Sequence, residues 1–188
     1  LYRGSLAPKG STITAVTPVL GRYSLLTAND QGDIVQWGAL VNANETRFVA
    51  LRSFDVEQSV AQLITEPRRK GFLSVANDGE LSLLYPTSGR LLDQRPSNLP
   101  ASAPMAISPR SNLLIAAPHD GLITAHSLDN KHPEISWSAL WTEVWYEGYE
   151  EPIFSWQSSS ADNDFEPKFS LTPLAFGTMK AAFYALLF

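Results

Sequence analysis

Residues 76–84 read Ala-Asn-Asp-Gly-Glu-Leu-Ser-Leu-Leu, so a short polar turn with a glycine separates one apolar segment from the next. Two further stretches repeat this arrangement. Residues 28–37 read Ala-Asn-Asp-Gln-Gly-Asp-Ile-Val-Gln-Trp, and residues 117–126 read Ala-Pro-His-Asp-Gly-Leu-Ile-Thr-Ala-His. Asn, Asp and Gly accept the positive φ angles that a tight antiparallel connection requires. Each stretch therefore predicts a β-hairpin.

The glycines of these turns are regularly spaced. Gly32 and Gly79 are 47 residues apart, and Gly79 and Gly121 are 42 residues apart. A four-stranded propeller blade repeats with a period of roughly 40 to 50 residues, and a single blade cannot bury both of its faces. We therefore expect an all-β fold of about three propeller-like, four-stranded antiparallel blades, partial or completed by a partner. A short helical C-terminal segment follows them.

Turn signals on either side of the hairpins predict the other strands of the blades. The predicted inner strands, at residues 11–16, 59–64 and 101–107, are small and apolar enough to line a crowded central channel. The predicted outer strands lie at residues 45–51 and 89–93. The first two blades are thus expected to run from an inner strand, through the hairpin, to an outer strand.

The third repeat has a recognisable order of turns. A Ser-Pro turn at residues 108–112 precedes an apolar strand and then an Asp-Gly turn. This order closely resembles the repeats of WD40-like propellers. Trp37 takes the place of the tryptophan that often ends the third strand of such a blade, whereas the other repeats end in Leu84 and His126. The resemblance concerns architecture, because propellers host enzymes, scaffolds and receptors alike.

Composition narrows the class of protein. The 188 residues are 44% hydrophobic, which indicates a globular domain with a sizeable core. A net charge of −5 argues against nucleic acid as the main partner, because phosphate contacts need a concentrated basic surface. The basic cluster at residues 68–70 is predicted to be a solvated turn in the second blade. The chain has no cysteine, so disulfides and thiolate metal sites are excluded.

From about residue 136 the apolar spacing changes. Apolar side chains at Trp137, Leu140, Trp141, Val144 and Trp145 recur as on one face of a helix, so a short amphipathic helix is predicted. Its three tryptophans either pack against the blades or mark a membrane interface, where Trp is enriched. The polar, turn-rich residues that follow predict a linker.

The last segment, residues 171–188, is apolar with a single charge at Lys180. A membrane-spanning helix needs roughly 20 mainly apolar residues, so this segment predicts either the start of such a helix or a buried C-terminal helix. A chain that stops within an apolar run and begins without a charged leader is expected to be a piece of a longer protein. The predicted regions are a propeller-like domain at residues 1–135, a helix and polar linker at residues 136–170, and this apolar segment.

Two stretches near the C-terminus carry a second resemblance. Residues 154–157 read Phe-Ser-Trp-Gln, and residues 173–178 read Pro-Leu-Ala-Phe-Gly-Thr. They resemble the permeases of phosphate-specific ABC transporters, in which a Trp lies just outside the membrane and a Pro-apolar-apolar-x-Gly-Thr signature begins a transmembrane helix. Here Trp156, Pro173 and the Gly-Thr pair occupy those places. Some of these permeases carry a large periplasmic insertion before the core helices, so the resemblance implies that the blades belong to such an insertion.

This resemblance implies a function and partners. The chain would be the periplasmic domain of the permease subunit of an ATP-driven phosphate importer, in the inner membrane, acting as a non-catalytic interaction or regulatory module. The implied partners are a second permease subunit, cytoplasmic ATPase subunits and a periplasmic phosphate-binding protein. No residue matches a family position that handles phosphate. One hypothesis is that an acidic patch touches the binding protein; the patch comprises Glu143, Glu147, Glu150 and Glu151.

The residues themselves give little sign of catalysis, and no enzyme is predicted. No Gly-rich phosphate loop of the G-x-x-x-x-G-K-[ST] type occurs. The aspartates of the three hairpin turns, Asp30, Asp78 and Asp120, either form a ring of carboxylates, as in calcium-dependent lactonase-like enzymes, or hydrogen-bond their own turns. The turn role is favoured, because Asp beside Gly is what such turns require. We therefore predict no catalytic, cofactor-binding or metal-ligating residue.

Histidines and serines lead to the same expectation. His119 and His126 fall at a turn and at the end of the following strand, on opposite faces, so a metal site that joins them with His132 is not predicted. Serines at residues 158–160 lie near acidic residues, but no histidine follows them in the linker. Two alternatives to the permease domain stay open. One is an independent extracytoplasmic propeller scaffold whose C-terminal helix packs on the blades, and the other is a propeller enzyme such as a quinoprotein or lactonase.

Overall fold

The computed structural model describes residues 6, 10–21, 24–42, 45–119, 121–159 and 166–187. Blade 1 contains β1 (Ile13–Pro18), β2 (Ser24–Asn29), β3 (Asp33–Asn42) and β4 (Glu45–Asp55), hydrogen-bonded in that order. Blade 2 contains β5 (Val60–Thr65), β6 (Phe72–Ala76), β7 (Leu81–Tyr85) and β8 (Arg90–Arg95), again in order. Blade 3 contains β9 (Met105–Ile107), β10 (Leu113–His119) and β11 (Leu122–Ser127), with β10 in the middle. All neighbouring strands are antiparallel.

The expectation of an all-β, propeller-like fold is confirmed. The predicted inner strands correspond to β1, β5 and β9, and the predicted outer strands to β4 and β8. Neighbouring inner strands contact each other, β1 with β5 and β5 with β9, as strands around a central channel do. Blades 1 and 2 have four strands each, whereas blade 3 has three within the described residues. The strand β11 is therefore the outermost strand that the structure describes in blade 3.

The hairpin turns have the backbone geometry that their residues predict. Gly32 and Gly79 have φ angles of 98° and 89°, which glycine adopts without a steric penalty. A Cβ atom at Gly79 would lie 2.9 Å from the carbonyl oxygen of Ser97. The Asp78 carboxylate accepts a hydrogen bond from the backbone N–H of Glu80 at 3.0 Å. Local chemistry thus positions the second and third strands of each complete blade.

Apolar residues fill the space between neighbouring blades. The first interblade core, between blades 1 and 2, contains Val19, Leu26, Ala28, Ile34, Val56, Val60, Phe72 and Leu84. The second interblade core, between blades 2 and 3, contains Leu73, Val75, Leu81, Leu83, Leu99, Ile107, Leu114, Ala116 and Leu128. Full burial of one Leu, Ile or Phe side chain contributes about 1.5–3 kcal/mol. The packing of blade on blade therefore stabilises the propeller part.

After blade 3 the chain turns back across the blades. This C-terminal segment, residues 128–159 and 166–171, contains α1 (Trp137–Trp141), β12 (Trp156–Gln157) and β13 (Lys168–Phe169), and it leads into α2 (Thr172–Leu187). The two short strands β12 and β13 pair with each other in an antiparallel sheet.

Hydrogen bonds fix the path of the C-terminal segment. The hydroxyl of Ser136, at the start of α1, donates to the carbonyl oxygen of Ser88 in blade 2 at 2.7 Å. Further along the segment, the carbonyl oxygen of Trp145 accepts a hydrogen bond from Arg52 of β4. The segment therefore runs from blade 3, across blade 2, to blade 1.

The predicted amphipathic helix is present but shorter than its spacing indicated. It ends at Trp141, and Thr142 is already extended, with φ −109° and ψ 164°. Val144 instead pairs with Ile153, and both of their backbone N–H···O bonds measure 3.1 Å. Val144 and Tyr146 are buried in a small core with Ala139, against which Ile153 packs, and this packing takes the place of a further helical turn.

The three tryptophans of the predicted helix differ in exposure. Trp137 is 80% exposed, so the packing interpretation is wrong for it, whereas Trp141 is 45% exposed and Trp145 is half-buried. The membrane-interface interpretation stays a prediction. Within α1 the buried residue is Ala139.

The helix α2 has 16 residues and contains no buried residue. The expectation of a buried C-terminal helix is therefore wrong for Thr172–Leu187, and Phe188 lies outside the described residues. Within the described part of the chain, neither helix combines the length and the apolar character that crossing a bilayer requires.

Candidate functional site

The two described aspartates of the hairpin turns each accept a backbone hydrogen bond. The carboxylate of Asp30 accepts a hydrogen bond from the backbone N–H of Thr12 at 3.0 Å, and that of Asp78 caps its own turn. The third aspartate, Asp120, lies outside the described residues. Among the residues that the structure describes, no group of three or more His, Cys, Asp or Glu side chains is placed to hold a metal ion. The favoured turn role thus fits Asp78, whereas in the first turn it is the amide oxygen of Asn29 that accepts the backbone hydrogen bonds, from Gln31 and Asp33.

The other candidate residues are also held by local contacts. The His126 imidazole Nε2 lies 3.1 Å from the hydroxyl of Thr124, two residues earlier on the same strand. His132 has a φ of 48° and its carbonyl oxygen accepts a hydrogen bond from Arg90 at 2.9 Å. In the predicted linker, Ser160, Asp162 and Asp164 lie outside the described residues.

The turn at residues 68–70 is not the solvated loop that its charges predicted. Arg68 is exposed, but Lys70 is only 4% exposed. The Lys70 ammonium bonds the Glu147 carboxylate, and its Nζ atom lies 3.5 Å from Oε2 of Glu166. The C-terminal segment covers this turn with two glutamates, so the sequence-based expectation is wrong for Lys70.

A second ion pair extends this cluster at the same turn. Arg69 Nε lies 3.1 Å from Oε2 of Glu66, whose side chain is fully buried. The amide of Asn130 donates to Oε1 of Glu66 at 3.1 Å, and Arg69 donates to the Asn130 carbonyl oxygen at 3.1 Å. Both ends of the C-terminal segment are therefore tied to the same hairpin of blade 2.

The two glutamates of the C-terminal segment accept several hydrogen bonds each. Glu147 accepts from the hydroxyl of Ser24 in blade 1. Glu166 accepts from the Thr87 hydroxyl in blade 2 and from the backbone N–H of Glu147, the latter at 3.1 Å. Glu147 is thus a buried partner of Lys70, and its place in the predicted acidic surface patch is wrong. We call Lys70, Glu147 and Glu166 the buried ion cluster.

Burial changes the pKa of groups around this cluster. Desolvation lowers the pKa of Arg52, although Glu166 and Glu147 oppose the change. Desolvation also lowers the pKa of Lys168, again opposed by Glu166. Burial raises the pKa of Tyr146 to about 12, and the nearby Glu166 carboxylate acts in the same direction. In the cluster the Lys70 side chain lies between the two glutamates, and pairing of this kind is the requirement for burying charges in a protein.

A cleft of about 270 Å³ lies beside the cluster, between blade 2 and α1. Its polar wall includes Thr87, Ser88 and Glu143, and no histidine or cysteine stands among the described residues that line it. The Thr87 hydroxyl donates to Glu166, and the Ser88 hydroxyl donates to the carbonyl oxygen of Pro133. These hydroxyls are therefore engaged in structural hydrogen bonds, and the cleft does not pair a nucleophile with a base.

Exposed aromatic side chains surround the start of α2. The aromatic platform comprises Trp137, Trp141, Phe154 and Trp156, which are between 41% and 80% exposed. The backbone N–H of Leu171 donates to the carbonyl oxygen of Leu140 in α1 at 2.7 Å. The Trp156 ring meets the Phe169 ring edge-on, with 5.7 Å between centroids. The first turn of α2 therefore begins within the aromatic platform.

The large apolar side chains of α2 are exposed. Its exposed large apolar residues are Leu174, Phe176, Met179, Phe183, Tyr184, Leu186 and Leu187. They are spread around the helix, and the one charged residue, Lys180, places its ammonium 5.8 Å from the Tyr184 ring centroid. A helix that is apolar on every side normally has apolar surroundings.

The sequence indicated some of these residues and missed others. The aromatic platform was visible as a run of Trp and Phe near an apolar segment. The buried ion cluster could not be recognised in the sequence, because Lys70 and Glu147 are 77 residues apart and no local pattern links them. A lysine at a hairpin turn is rarely buried, so the sequence alone favoured a solvent-exposed side chain for Lys70.

Comparison with known proteins supports the fold. No protein-family model matches the chain, and no curated protein matches it. A structure described as "Crystal structure of RRP9 WD40 repeats" is similar with a TM-score of 0.50 and 14% identity, over 65% of this chain and 37% of that chain. A "Structure of U3-55K" is similar with a TM-score of 0.50 and 13% identity, over 65% and 38%. The chain thus spans less than two fifths of either neighbour, and its blades have the fold of WD40 repeats.

Proposed function

We propose that this chain is a non-catalytic, propeller-type interaction domain that α2 attaches to a membrane. The observation that carries this proposal is that α2 contains no buried residue and begins beside the aromatic platform. A helix apolar on every side is stable in hydrocarbon or in a protein interior, and Trp is enriched where hydrocarbon meets water, which favours hydrocarbon here. The WD40-like fold supports the interaction role, because its blades present broad surfaces on which a partner can dock.

Details of α2 fit a lipid environment. The hydroxyl of Thr178 donates to the carbonyl oxygen of Leu174 at 2.9 Å, so this polar group is satisfied within the helix, as hydrocarbon surroundings demand. Pro173 lies in the first turn, where its missing N–H removes no helical hydrogen bond. At about 1.5 Å per residue, α2 is about 24 Å long, most of the thickness of a hydrocarbon core of about 30 Å.

Within this function, the finer proposal is the periplasmic domain of the permease subunit of an ATP-driven phosphate importer of the inner membrane. The support is the resemblance of the stretches around Trp156 and Pro173 to those permeases. In that arrangement α2 is the start of the first core membrane helix, and the blades stand on the periplasmic side. The partners are then a second permease subunit, cytoplasmic ATPase subunits and a periplasmic phosphate-binding protein.

The buried ion cluster gives the blades a fixed attachment to this helix. Glu166 lies six residues before Thr172, the first residue of α2, and it is held by Thr87 and Lys70 of blade 2. The distance from the blades to the start of α2 is therefore short and tied by hydrogen bonds. A domain attached in this way stays close to the membrane surface, where it can meet a partner that docks on the transporter.

Membrane attachment is tested by flotation of the chain with vesicles of phosphatidylethanolamine and phosphatidylglycerol. The wild-type chain is expected to float with the vesicles. A variant with Phe176→Glu and Phe183→Glu should stay at the bottom of the gradient, because both carboxylates would enter hydrocarbon. Leu91→Glu is the matched control, since Leu91 is exposed on blade 2, and it should float. Equal flotation of the α2 variant and the wild type would contradict the proposal.

The transport role needs a separate measurement. Cells that lack their own phosphate importer would receive the intact parent chain, or a version in which a short flexible linker replaces residues 10–135. Phosphate uptake restored by the parent chain supports the permease assignment, and the shortened version shows whether the blades are required. A parent chain that reaches the membrane with its partners and moves no phosphate contradicts it.

An independent extracytoplasmic propeller scaffold is the second candidate. Its support is the similarity of the blades to WD40-repeat structures. In this case α2 is covered by a partner protein and not by lipid. Failure of the wild-type chain to float with vesicles would favour this candidate.

A further inference from the structure

A cavity of about 250 Å³ lies where the C-terminal segment crosses the basic turn of blade 2. It is separate from the cleft beside α1, and the two have no described lining residue in common. Its walls come from the turn at residues 68–70, from Leu20 between β1 and β2, from Tyr85 at the end of β7, and from Glu134 and Pro167 of the C-terminal segment. Sites for drug-sized ligands measure about 300–1,000 Å³, so this cavity suits one small group.

Arg69 keeps hydrogen-bond donors for a ligand in this cavity. It donates from Nε to Glu66 and from Nη1 to the Asn130 carbonyl oxygen, both at 3.1 Å. A guanidinium carries more N–H donors than these described bonds use. The Arg69 side chain is 32% exposed, so a ligand in the cavity can reach it.

Arg68 adds a cation that the described chain does not neutralise. It is exposed, and none of the ion pairs between described residues includes it. Guanidinium N–H groups match the oxygens of a phosphoryl group in two parallel hydrogen bonds, which makes Arg the preferred side chain for that contact. The turn therefore brings two guanidinium groups to one small cavity.

Tyr85 supplies a neutral donor in the same cavity. It is only 2% exposed, and burial raises the pKa of its hydroxyl, so the group keeps its proton. A protonated phenol donates one hydrogen bond. The charge of Arg69 acts on the same pKa in the opposite direction, which places the guanidinium near the hydroxyl. An anion in the cavity thus meets a hydroxyl donor as well as the arginines.

One acidic side chain of the wall opposes an anion. Glu134 is half-buried and lines the cavity beside three cations. The other glutamates nearby are paired, Glu66 with Arg69 and those of the buried ion cluster with Lys70. Arg68 is then the excess cation, and Glu134 limits how tightly an anion binds.

We propose that this cavity binds a phosphoryl group, held by the guanidinium groups of Arg68 and Arg69 and by the Tyr85 hydroxyl. The group comes from free inorganic phosphate or from the headgroup of an anionic phospholipid. Pro167, on the cavity wall, lies five residues before Thr172, the first residue of α2. That length of chain spans at most about 18 Å. The lipid source rests on the proposed membrane attachment, because it needs a bilayer at the start of α2, whereas the free ion does not.

Inorganic phosphate is the first probe. The full chain in a non-ionic detergent is titrated by calorimetry, with sodium chloride at equal ionic strength as the reference. Saturable binding at one site per chain is the result expected for the free ion. Arg68→Gln should weaken it about tenfold or more, because it removes a charge-assisted contact. Arg110→Gln changes the net charge equally at an exposed position of blade 3, so it is the matched control and should bind like the wild type.

Glu134→Gln tests the sign of the ligand's charge. It removes the opposing carboxylate and should strengthen binding of the phosphoryl probe about two- to fivefold. Weaker binding would mean that the site prefers a cation and would overturn the proposal. Circular dichroism should show that this variant and both arginine variants are folded, because none of these side chains is fully buried.

Phosphatidylglycerol is the second probe, and diacylglycerol, which lacks the phosphoryl group, is its control. Native mass spectrometry of the chain in detergent measures both. Binding of phosphate assigns the free ion, and binding of phosphatidylglycerol without phosphate binding assigns the lipid headgroup. Binding of neither probe, or equal weakening by Arg68→Gln and Arg110→Gln, would overturn the site. Arg68→Gln should still float with vesicles, because α2 is intact, so a failure of the site and a failure of the membrane attachment are distinguishable.

Discussion

The interblade cores and α2 have similar apolar composition and opposite surroundings. Phe72 of the first interblade core is fully buried, whereas Phe176 of α2 is 64% exposed. In the blades, apolar residues alternate along each strand and meet the same pattern on the next blade. In α2 they are spread around the helix, and none of them is buried. The difference teaches that the direction of apolar side chains, more than their number, separates a core from a surface that needs a partner.

Substitution of Phe72 and of Phe176 should give the largest difference in unfolding free energy. Phe72→Ala should lower the free energy of unfolding by about 3–5 kcal/mol, because it removes a fully buried ring between two blades. Phe176→Ala should change it by less than about 0.5 kcal/mol, because that ring is 64% exposed. Urea unfolding followed by tryptophan fluorescence in detergent measures both. A large loss in the α2 variant would mean that α2 is part of the folded core.

A smaller contrast separates two neighbouring basic residues. Lys70→Met leaves Glu147 and Glu166 buried without their cation, which should cost about 3–4 kcal/mol of unfolding free energy. Arg68→Met, two residues away on the exposed side of the same turn, should stay within about 0.5 kcal/mol. The same unfolding experiment compares them. Equal effects would contradict the buried ion cluster.

The smallest expected effect is the dependence of folding stability on pH. Burial raises the pKa of Tyr146 from 10.0 to about 12, so the folded state holds this proton more tightly than the unfolded state does. The resulting stability is fully present below pH 10 and is lost as the pH rises through about 12. Tyr85, whose pKa is also raised by burial, acts in the same direction.

Unfolding midpoints in urea, measured between pH 9 and about 12, check this expectation. Tyr146→Phe should reduce the loss of stability at the alkaline end of this range. The part of the loss that Tyr85 causes should remain. Tyr184→Phe, on the exposed helix α2, is the matched control and should show the wild-type profile. A Tyr146→Phe profile identical to the wild type would contradict the assignment.

Much of the propeller part was predictable from its residues. The turn around Asp78 and Gly79 carries its own hydrogen bond and its own φ angle, and the strands beside it alternate with a period of two. These signals are short-range, so they can be read without knowing what lies opposite. The register of the hairpin and the inner or outer place of each strand follow from them.

The C-terminal segment was predicted less well. The helical spacing from Trp137 to Trp145 was real, but pairing of Val144 with Ile153 ends the helix at Trp141. The burial of Lys70 depends on Glu147 and Glu166, which reach it from residues far along the chain. Contacts of this kind carry no local signal.

The sequence by itself determined the repeating blades, because turn chemistry and strand alternation act over a few neighbouring residues. Only the tertiary structure decided which charged and apolar side chains lose contact with water. It buried Lys70 under the C-terminal segment, and it left Trp137 and the whole of α2 exposed. The physical reason is that burial depends on what stands opposite a side chain in space, and that partner is set by the path of the whole chain.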